Sequence, residues 1–445
     1  MADRSTTRRL FKNIASITVF QASGYILAML NVPYLTRVLG VADYGVLAFT
    51  MSVNAYLWLV MDWGFSLGAT RDIAQAQGDE NKIREIFWRT MTAKAILSVV
   101  ALVALVGVAA LDKVPDVFYI IFLPGALNIL SAILTVDWLV QGLQRMGLFT
   151  LYSIGGRAFV VAMTFILVHG PQDTWIACCL QTFGSLVASS ASFMIVRRYF
   201  KMGRPVFPFR LAARQIWDYR HYFLSQSSWI AYSTAAPLLL TIVSGSVAVG
   251  LFAGAERITR VAMSMIYPLS TAIYPHVNAL VSESREAAAN VAGLLLAAQV
   301  LFGLALSAFF LLAARPIAVL VLGSRFSAAA EVLRCLAVLP LLTGVGSTLS
   351  RQFMIPLGYR QAVSRITLTC TAIYLVLLFL LGREVGALGA AIALITTEVL
   401  VTLGCVAFLV RREREFTTNA CLAVLSAPTR FMQLYTGWRG RLRSS

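Results

Sequence analysis

Charged residues are scarce in this chain, 13% of 445 positions against 59% hydrophobic. A soluble core cannot absorb so large an apolar share, which excludes a string of soluble domains. Histidine is rarer still: His169, His221 and His276 lie far apart, and the six cysteines (178, 179, 335, 370, 405, 421) form no CxxC. That spacing supports neither a metal site nor a disulfide framework, and no cofactor is expected. The first apolar run follows a basic stretch, residues 1–13, without a small-residue cleavage site, so it reads as a retained helix and not as a removed leader. Long polar loops are missing too. The connections at 112–116, 169–173, 245–246 and 383–384 are too short to build a catalytic site, and no nucleophile and base stand at useful spacing, which argues against an enzyme. Filter-like repeats of a channel are also absent.

What is present is a series of apolar runs. A membrane span needs about 20 such residues. Windows of that kind fall at 14–38, 42–69, 90–111, 117–141, 148–168, 174–196, 221–244, 247–281, 288–313, 330–355, 363–382 and 385–410. The expected fold class is therefore an all-α integral membrane protein of about 12 transmembrane helices. Residues 314–329 are too short to cross and read as a surface or re-entrant turn.

The net charge of +17 does not indicate nucleic acid, because the cations sit in short segments between apolar runs. They alternate in side. One side collects Arg4 to Lys12, Arg71 to Arg89, Arg145, Arg197 to Arg220, Arg285, Arg360, Arg365 and Arg411 to Arg443; the other holds only Lys113, Arg315, Arg325 and Arg383. Lys and Arg are retained in the cytoplasm, so both termini are expected there, which requires an even number of spans. The basic tail, with Trp438, suits the anionic inner leaflet.

The richest loop bisects the chain. Four segments follow: an N-terminal six-helix half (1–196), a basic cytoplasmic linker (197–220), a C-terminal six-helix half (221–410) and a basic cytoplasmic tail (411–445). The halves echo one another. Pro33 precedes Gly40-Val41-Ala42-Asp43-Tyr44-Gly45, and Pro237 precedes Gly245-Ser246-Val247-Ala248-Val249-Gly250. Gln141-Gly142-Leu143-Gln144-Arg145 is likewise echoed by Ile355-Pro356-Leu357-Gly358-Tyr359-Arg360. Two pseudo-repeated bundles imply an axis along the membrane normal with a path between them. Tight turns between apolar helices are the simpler account of the glycines.

At these residues the chain resembles the polysaccharide transporter family, the O-antigen flippases, in the superfamily that also holds multidrug extruders and lipid II flippases. The likeness covers nearly the whole chain. It rests on Pro33-Tyr34-Leu35-Thr36-Arg37-Val38-Leu39-Gly40 with Asp43-Tyr44-Gly45, on Asp62-Trp63-Gly64-Phe65 with Ala69-Thr70-Arg71-Asp72-Ile73-Ala74, on Asp137-Trp138-Leu139-Val140-Gln141-Gly142 before Arg145-Met146, and on Gly323 to Arg334. The resemblance implies transport of undecaprenyl-diphosphate-linked oligosaccharide, for O-antigen or exopolysaccharide, from the cytoplasmic to the periplasmic leaflet of a bacterial inner membrane by alternating access. It also implies H+ or Na+ as coupling ion, and glycan polymerase or glycosyltransferase partners. Lipid II flippases usually carry two further helices. A multidrug or cation antiporter has the same helix number and stays as the alternative.

Ionisable groups inside spans are costly and mark function or a partner. The cations are Arg37, Lys94, Arg157, Arg257, Arg260, Arg334 and Arg351; the anions are Asp62, Asp137, Glu256 and Glu398. A cationic surplus suits a diphosphate and is the reverse of what a cationic drug needs. Arg157, Arg257, Arg260, Arg37 and Arg351 are the candidates for substrate binding. Asp62, Glu398, Asp137 and Glu256 are those for ion coupling, because burial moves a carboxyl toward protonation. Lys94, Arg37 and Arg334 lie near span ends, where snorkelling to headgroups is the simpler reading. Glu256 and Arg260, one turn apart, can neutralise each other, which leaves Arg257 as the better lumen residue. Pro33, Pro124, Pro237, Pro268, Pro275 and Pro340 read as hinges or static kinks. The pairs Trp58 and Trp63, and Tyr267 and Tyr274, stack on sugars or serve packing and the interfacial belt.

Overall fold

A computed structural model describes residues 23–24, 26–110, 118–199, 203–265 and 267–426. The basic N-terminus, the start of the first expected span, Lys113, Lys201 and the Arg430 to Arg443 tail lie outside the described residues. Within them the chain is helical, with no strand, and it divides into two compact units.

The first unit comprises Met1–Ala253 and Val319–Phe326. Its helices are α1 (Ile26–Leu39), α2 (Val41–Asp62), α3 (Phe65–Gln75), α4 (Glu80–Ala109), α5 (Leu123–Leu134), α6 (Asp137–Gly142), α7 (Met146–Leu167), α8 (Thr174–Tyr199) and most of α9 (Phe209–Met263). The boundaries have local causes. Asp79 caps α4 by accepting from the backbone N–H groups of Asn81 (3.1 Å) and Lys82 (3.0 Å). The expected 42–69 span is interrupted because Trp63 (φ 42°) and Gly64 (φ 85°) are both left-handed, a turn glycine allows without strain. The expected 117–141 span likewise breaks, at Thr135 and Val136. Phe87 lies against Trp138 and Phe193 at ring-centroid distances of 6.1 and 6.3 Å, in the unit's interior.

The second unit comprises Gly254–Ala318 and Ser327–Ser445. It holds the end of α9, then α10 (Tyr267–Glu283), most of α11 (Arg285–Leu322), α12 (Ala329–Cys335), α13 (Leu339–Thr348), α14 (Arg360–Arg412) and α15 (414–426). Ala288, Ala289 and Ala292 on α11 form a shallow apolar face with Phe353 and Leu409, onto which Phe416, Ala420 and Ala423 of α15 are buried. A methyl at Gly293 would meet the Ala423 Cβ at 2.9 Å and the Ala420 Cα at 3.1 Å, so the small residue lets α15 dock. The segment read as the beginning of a tail is thus a packed helix. In the segment read as a linker, the chain is helical from Phe209 onward.

Nine helical stretches among the described residues are long and apolar enough to cross a bilayer, and a count of twelve does not follow from them. α14 alone contains two of the expected spans. Its 53 residues would reach about 80 Å if straight, against a hydrocarbon core of about 30 Å. It turns back instead at Val385 and Gly386 (φ 57°): the Gly389 position abuts Leu381 and Gly382, and Gly404 abuts Ile366, the register of an antiparallel hairpin. α9 breaks at Gly245, between the two spans expected there. The stretch expected as a surface or re-entrant turn, 314–329, is mostly helical. α11 kinks at Ala313, and Pro316 follows in the first turn of the new arm, where a missing N–H is tolerated. Gly323 (φ 99°) then ends the helix.

The echoed glycines meet one another in the first unit. Gly40 (φ 80°, ψ −176°) and Gly245 (φ 80°, ψ 177°) share one backbone conformation. A methyl at Gly45 would overlap the Ser246 carbonyl, and one at Gly250 would overlap the Val41 carbonyl. Counting from Gly40 and Gly245, Val41 corresponds to Ser246 and Gly45 to Gly250. The crossing is therefore reciprocal, as two copies of one element make about a two-fold axis.

Candidate functional site

The expected substrate arginines are divided between the units. In the first, Arg37 ends α1, donates to the Leu320 carbonyl and lies against Gly323. Arg325 comes beside Gly40, and the Tyr44 ring meets Phe326 edge-on at 5.9 Å. The short segment 319–326, from late in the sequence, is thereby seated on the turn between α1 and α2. Arg157 is exposed on α7, with its guanidinium beside Gly24 of the first helix.

In the second unit Arg257 and Arg351 are exposed. Arg351 rides on a π-helical segment, Leu349–Met354, a widening of the helix that recurs at functional sites and that no residue pattern announced. Arg260 grips Glu256 through Nε (2.9 Å) and NH2 (2.6 Å), as their one-turn spacing allows. Glu398 is buried on the second arm of α14, and its charge reaches Cys370 on the first arm. Arg334, read as a snorkelling cation, is exposed on α12.

Lys94 departs from the snorkelling expectation. Its residue is 3% exposed, and Nζ donates to the carbonyls of Ala132 (3.0 Å) and Thr135 (2.7 Å) where α5 ends. The carboxylates whose charge acts on it are Asp62 and Asp137. Asp137 accepts from the Tyr152 hydroxyl at 2.7 Å; Asp62 accepts from the Ser66 N–H (3.2 Å) and hydroxyl (2.9 Å), and that hydroxyl accepts from Gln226 Nε2 at 2.9 Å. Free helix-end carbonyls attract a cation more strongly than headgroups beyond the chain's reach. Lys94 is thus held by main-chain carbonyls, while Asp62 and Asp137 are each held by hydroxyl partners of their own.

Two further polar clusters carry no sequence signature. In the first unit Asp72 accepts from Arg71 NH2 (2.9 Å), Arg89 NH2 (3.3 Å) and the Tyr219 hydroxyl (2.6 Å), and Arg71 NH1 donates to the Tyr222 hydroxyl at 3.1 Å. Burial, and then the bond to Asp72, push the Tyr219 phenol above its ordinary value, so it stays a donor. In the second, Glu413 accepts from Arg285 NH1 (3.1 Å) and the Tyr359 hydroxyl (2.8 Å); that bond foremost, then burial, raises the Tyr359 phenol. Trp63 packs rather than presenting a face to a sugar: it stacks on Phe223 at 4.1 Å and donates to the Ile216 carbonyl at 2.8 Å. These contacts fasten the start of α9 to α2 and α3.

Known proteins share the fold. The sequence profile of the family described as "Polysaccharide biosynthesis protein" matches residues 10–281. A relative from Escherichia coli (strain K12), named "Putative O-antigen transporter", is 30% identical over 393 residues, which cover 88% of this chain and 95% of the relative. Two solved structures share the fold. The structure titled "Lipid II flippase MurJ, inward closed conformation" has a TM-score of 0.69 at 12% identity, covering 95% of this chain and 93% of that one. An inward-facing multidrug resistance MATE family transporter of the MOP superfamily has a TM-score of 0.68 at 16% identity, covering 88% and 95%. The chain is a multi-pass, all-helical membrane protein with the MOP-superfamily transporter fold, and it belongs to the polysaccharide biosynthesis protein family.

Proposed function

We propose that this protein is a flippase for an undecaprenyl-diphosphate-linked oligosaccharide, carrying it from the cytoplasmic to the periplasmic leaflet by alternating access coupled to H+ or Na+. One observation supports the reading most. Of the ionisable side chains held in the apolar helices, Arg37, Arg157, Arg257 and Arg351 are exposed, whereas the acids Asp62 and Glu398 are buried. A guanidinium facing hydrocarbon is costly, so exposed arginines at membrane depth belong on a polar path. Their planar fork matches a phosphate in two-point contact. An exporter of cations needs exposed acids instead.

In this reading the arginines hold the diphosphate and glycan while the polyprenyl tail stays in lipid. The buried carboxylates Asp62 and Glu398 and the half-buried Asp137 and Glu256 are the places for a coupling ion. The O-antigen assigned to the Escherichia coli relative is a cargo of the same chemical class. Loop charge places both termini in the cytoplasm of the bacterial inner membrane, with 1–196 and 221–410 as duplicated halves around the 197–220 segment. The 411–445 region then faces the enzymes that assemble or polymerise the glycan.

The test is complementation of a deletion strain. Loss of the gene should lead a lipid-linked oligosaccharide to accumulate, identified by mass spectrometry. Arg157→Ala and Arg257→Ala should abolish surface glycan while the protein remains in the membrane at normal level, and the Lys variants should restore it only in part, because an ammonium keeps charge without the fork. Export at the wild-type rate by both Ala variants would overturn the arginine path. An unchanged lipid pool with new drug sensitivity would overturn the cargo.

A further inference from the structure

The start of α9 has two unlike sides. Its buried side is fastened to the neighbouring helices: Gln215 Nε2 donates to Thr90 Oγ1 at 3.0 Å, the Tyr219 hydroxyl donates to Asp72 at 2.6 Å, and the Ile216 carbonyl accepts from the Trp63 indole at 2.8 Å. These contacts also fix its depth. α2 runs 22 residues, about 33 Å against a hydrocarbon core of about 30 Å, and it closes at Trp63 and Gly64. Ile216, which takes the Trp63 indole, and Tyr222, which abuts Gly64, therefore stand where hydrocarbon gives way to headgroups. On the other side of α9, Arg210, Arg214, Trp217, His221 and Leu224 follow at intervals of four, three, four and three residues, so they share one helical face, and all five are exposed. Leu224 lies two turns inward of Trp217, while Arg214 and Arg210 lie one and two turns outward. The Arg220 guanidinium carbon sits 4.4 Å from the Trp217 ring centroid, and its NH1 donates to the Trp217 carbonyl at 2.8 Å. Asp218, one turn from Arg214, forms no ion pair with it among the described residues.

A loop that only marks one side of the membrane needs cations in no particular order. This face has an order: cations outermost, an indole at the boundary and an aliphatic side chain within hydrocarbon, the profile of one phospholipid from headgroup to acyl chain. We propose that Arg210, Arg214, Trp217 and Leu224 form a binding site for an anionic phospholipid of the phosphatidylglycerol class. The guanidinium groups take the phosphodiester oxygens, Trp217 lies at the level of the glycerol, and Leu224 follows the acyl chain. A zwitterionic phospholipid brings the same phosphate with a cation attached, which two arginines oppose. Because Gln215, Ile216 and Tyr219 fasten the other side of α9, the bound lipid braces the first unit. The site needs only the membrane fold and is independent of the cargo.

Binding of a fluorescent phosphatidylglycerol to the purified full-length protein in neutral detergent, read by anisotropy, tests this without reference to transport. Unlabelled phosphatidylglycerol should displace the probe at concentrations at least about tenfold below phosphatidylcholine, and inorganic phosphate should not displace it. Arg210→Gln combined with Arg214→Gln should weaken binding roughly 30-fold, and the paired Lys variants should retain most of it. Trp217→Ala should weaken it less than the Gln pair. Arg360→Gln combined with Arg365→Gln removes the same charge from exposed positions of the second unit and should leave the affinity within about twofold. Equal losses in the two Gln pairs would reduce the effect to net charge and overturn the proposal. Unchanged affinity in the Arg210 and Arg214 pair overturns it too, and a fall in surface glycan alongside would give the face to a protein partner. Displacement by undecaprenyl diphosphate far below the concentration of phosphatidylglycerol, lost in that same pair, would give the face to the cargo and overturn the proposal as well.

Discussion

The two units answer internal charge in different ways. The first carries Lys94 of α4 across to the main-chain carbonyls of Ala132 and Thr135 at the end of α5, and gathers Arg71, Arg89 and Tyr219 on Asp72. The second pairs Glu256 with Arg260 on a single helix, with the Arg260 side chain 39% exposed. A pair one turn apart is satisfied by local geometry and stays close to solvent. A cluster across helices exists only when the bundle is assembled, and its charges have no water to return to. Charge in the first unit is therefore part of what holds the helices together.

Lys94 should separate the two cases most sharply. Lys94→Met removes the donor shared by two interior main-chain carbonyls, and leaving buried acceptors unpaired costs about 1–3 kcal/mol each. Arg260→Met should lower stability by less than about 1 kcal/mol. Denaturant or thermal melts of the two variants measure the contrast, and equal losses would erase the distinction between the units. Glycine contacts come next. Gly45→Val pushes the crossing with Ser246 apart and Gly293→Val pushes α15 off α11; overpacking of this kind costs about 1–3 kcal/mol. Only the first should also reduce glycan export, read in the complementation assay, because it alone lies where the echoed elements meet.

A smaller difference is expected between the acid latches. Asp72→Asn weakens bonds from Arg71, Arg89 and Tyr219, whereas Glu413→Gln weakens those from Arg285 and Tyr359. Losses of about 1–2 kcal/mol are expected, larger at Asp72 because more donors depend on it. Limited proteolysis of each unit should show the order. Smallest is the pH response of the phenols. Tyr219 and Tyr359 are both raised, so the stability they contribute is fully present below the ordinary phenol value of about 10 and is lost as pH climbs beyond it. Melting should be indifferent to these groups between about pH 6 and 9. Tyr219→Phe and Tyr359→Phe should flatten the alkaline fall.

Much of the fold was legible because bilayer thickness is a one-dimensional constraint. The breaks expected near residues 245 and 385 fall at Gly245 and at Val385 with Gly386, since an apolar run longer than the membrane must be interrupted and glycine permits the turn. The breaks inside 42–69 and 117–141 are invisible to hydropathy, because a left-handed Trp63 or an extended Thr135 leaves it unchanged. That 314–329 is largely helical leaves no mark in hydropathy either, since Pro316 sits early in the new arm where a missing N–H is tolerated. Of the candidate site, the i,i+4 relation of Glu256 and Arg260 was readable from spacing. The seat of Lys94 was not, since its oxygens stand 38 and 41 positions along the chain.

Composition, run length and the placement of Lys and Arg determined by themselves that this is a helical membrane protein and which ionisable side chains lie within its apolar runs. They also marked Gly40 and Gly245 as corresponding turns. Only the tertiary structure decided which charge answers which. Tyr219 reaches Asp72 across 147 positions and Glu413 reaches Arg285 across 128. Hydropathy and helical period act within a turn or a span of sequence, whereas the partner of a buried charge is chosen by whichever helix packs beside it, and that choice is made only when the bundle forms.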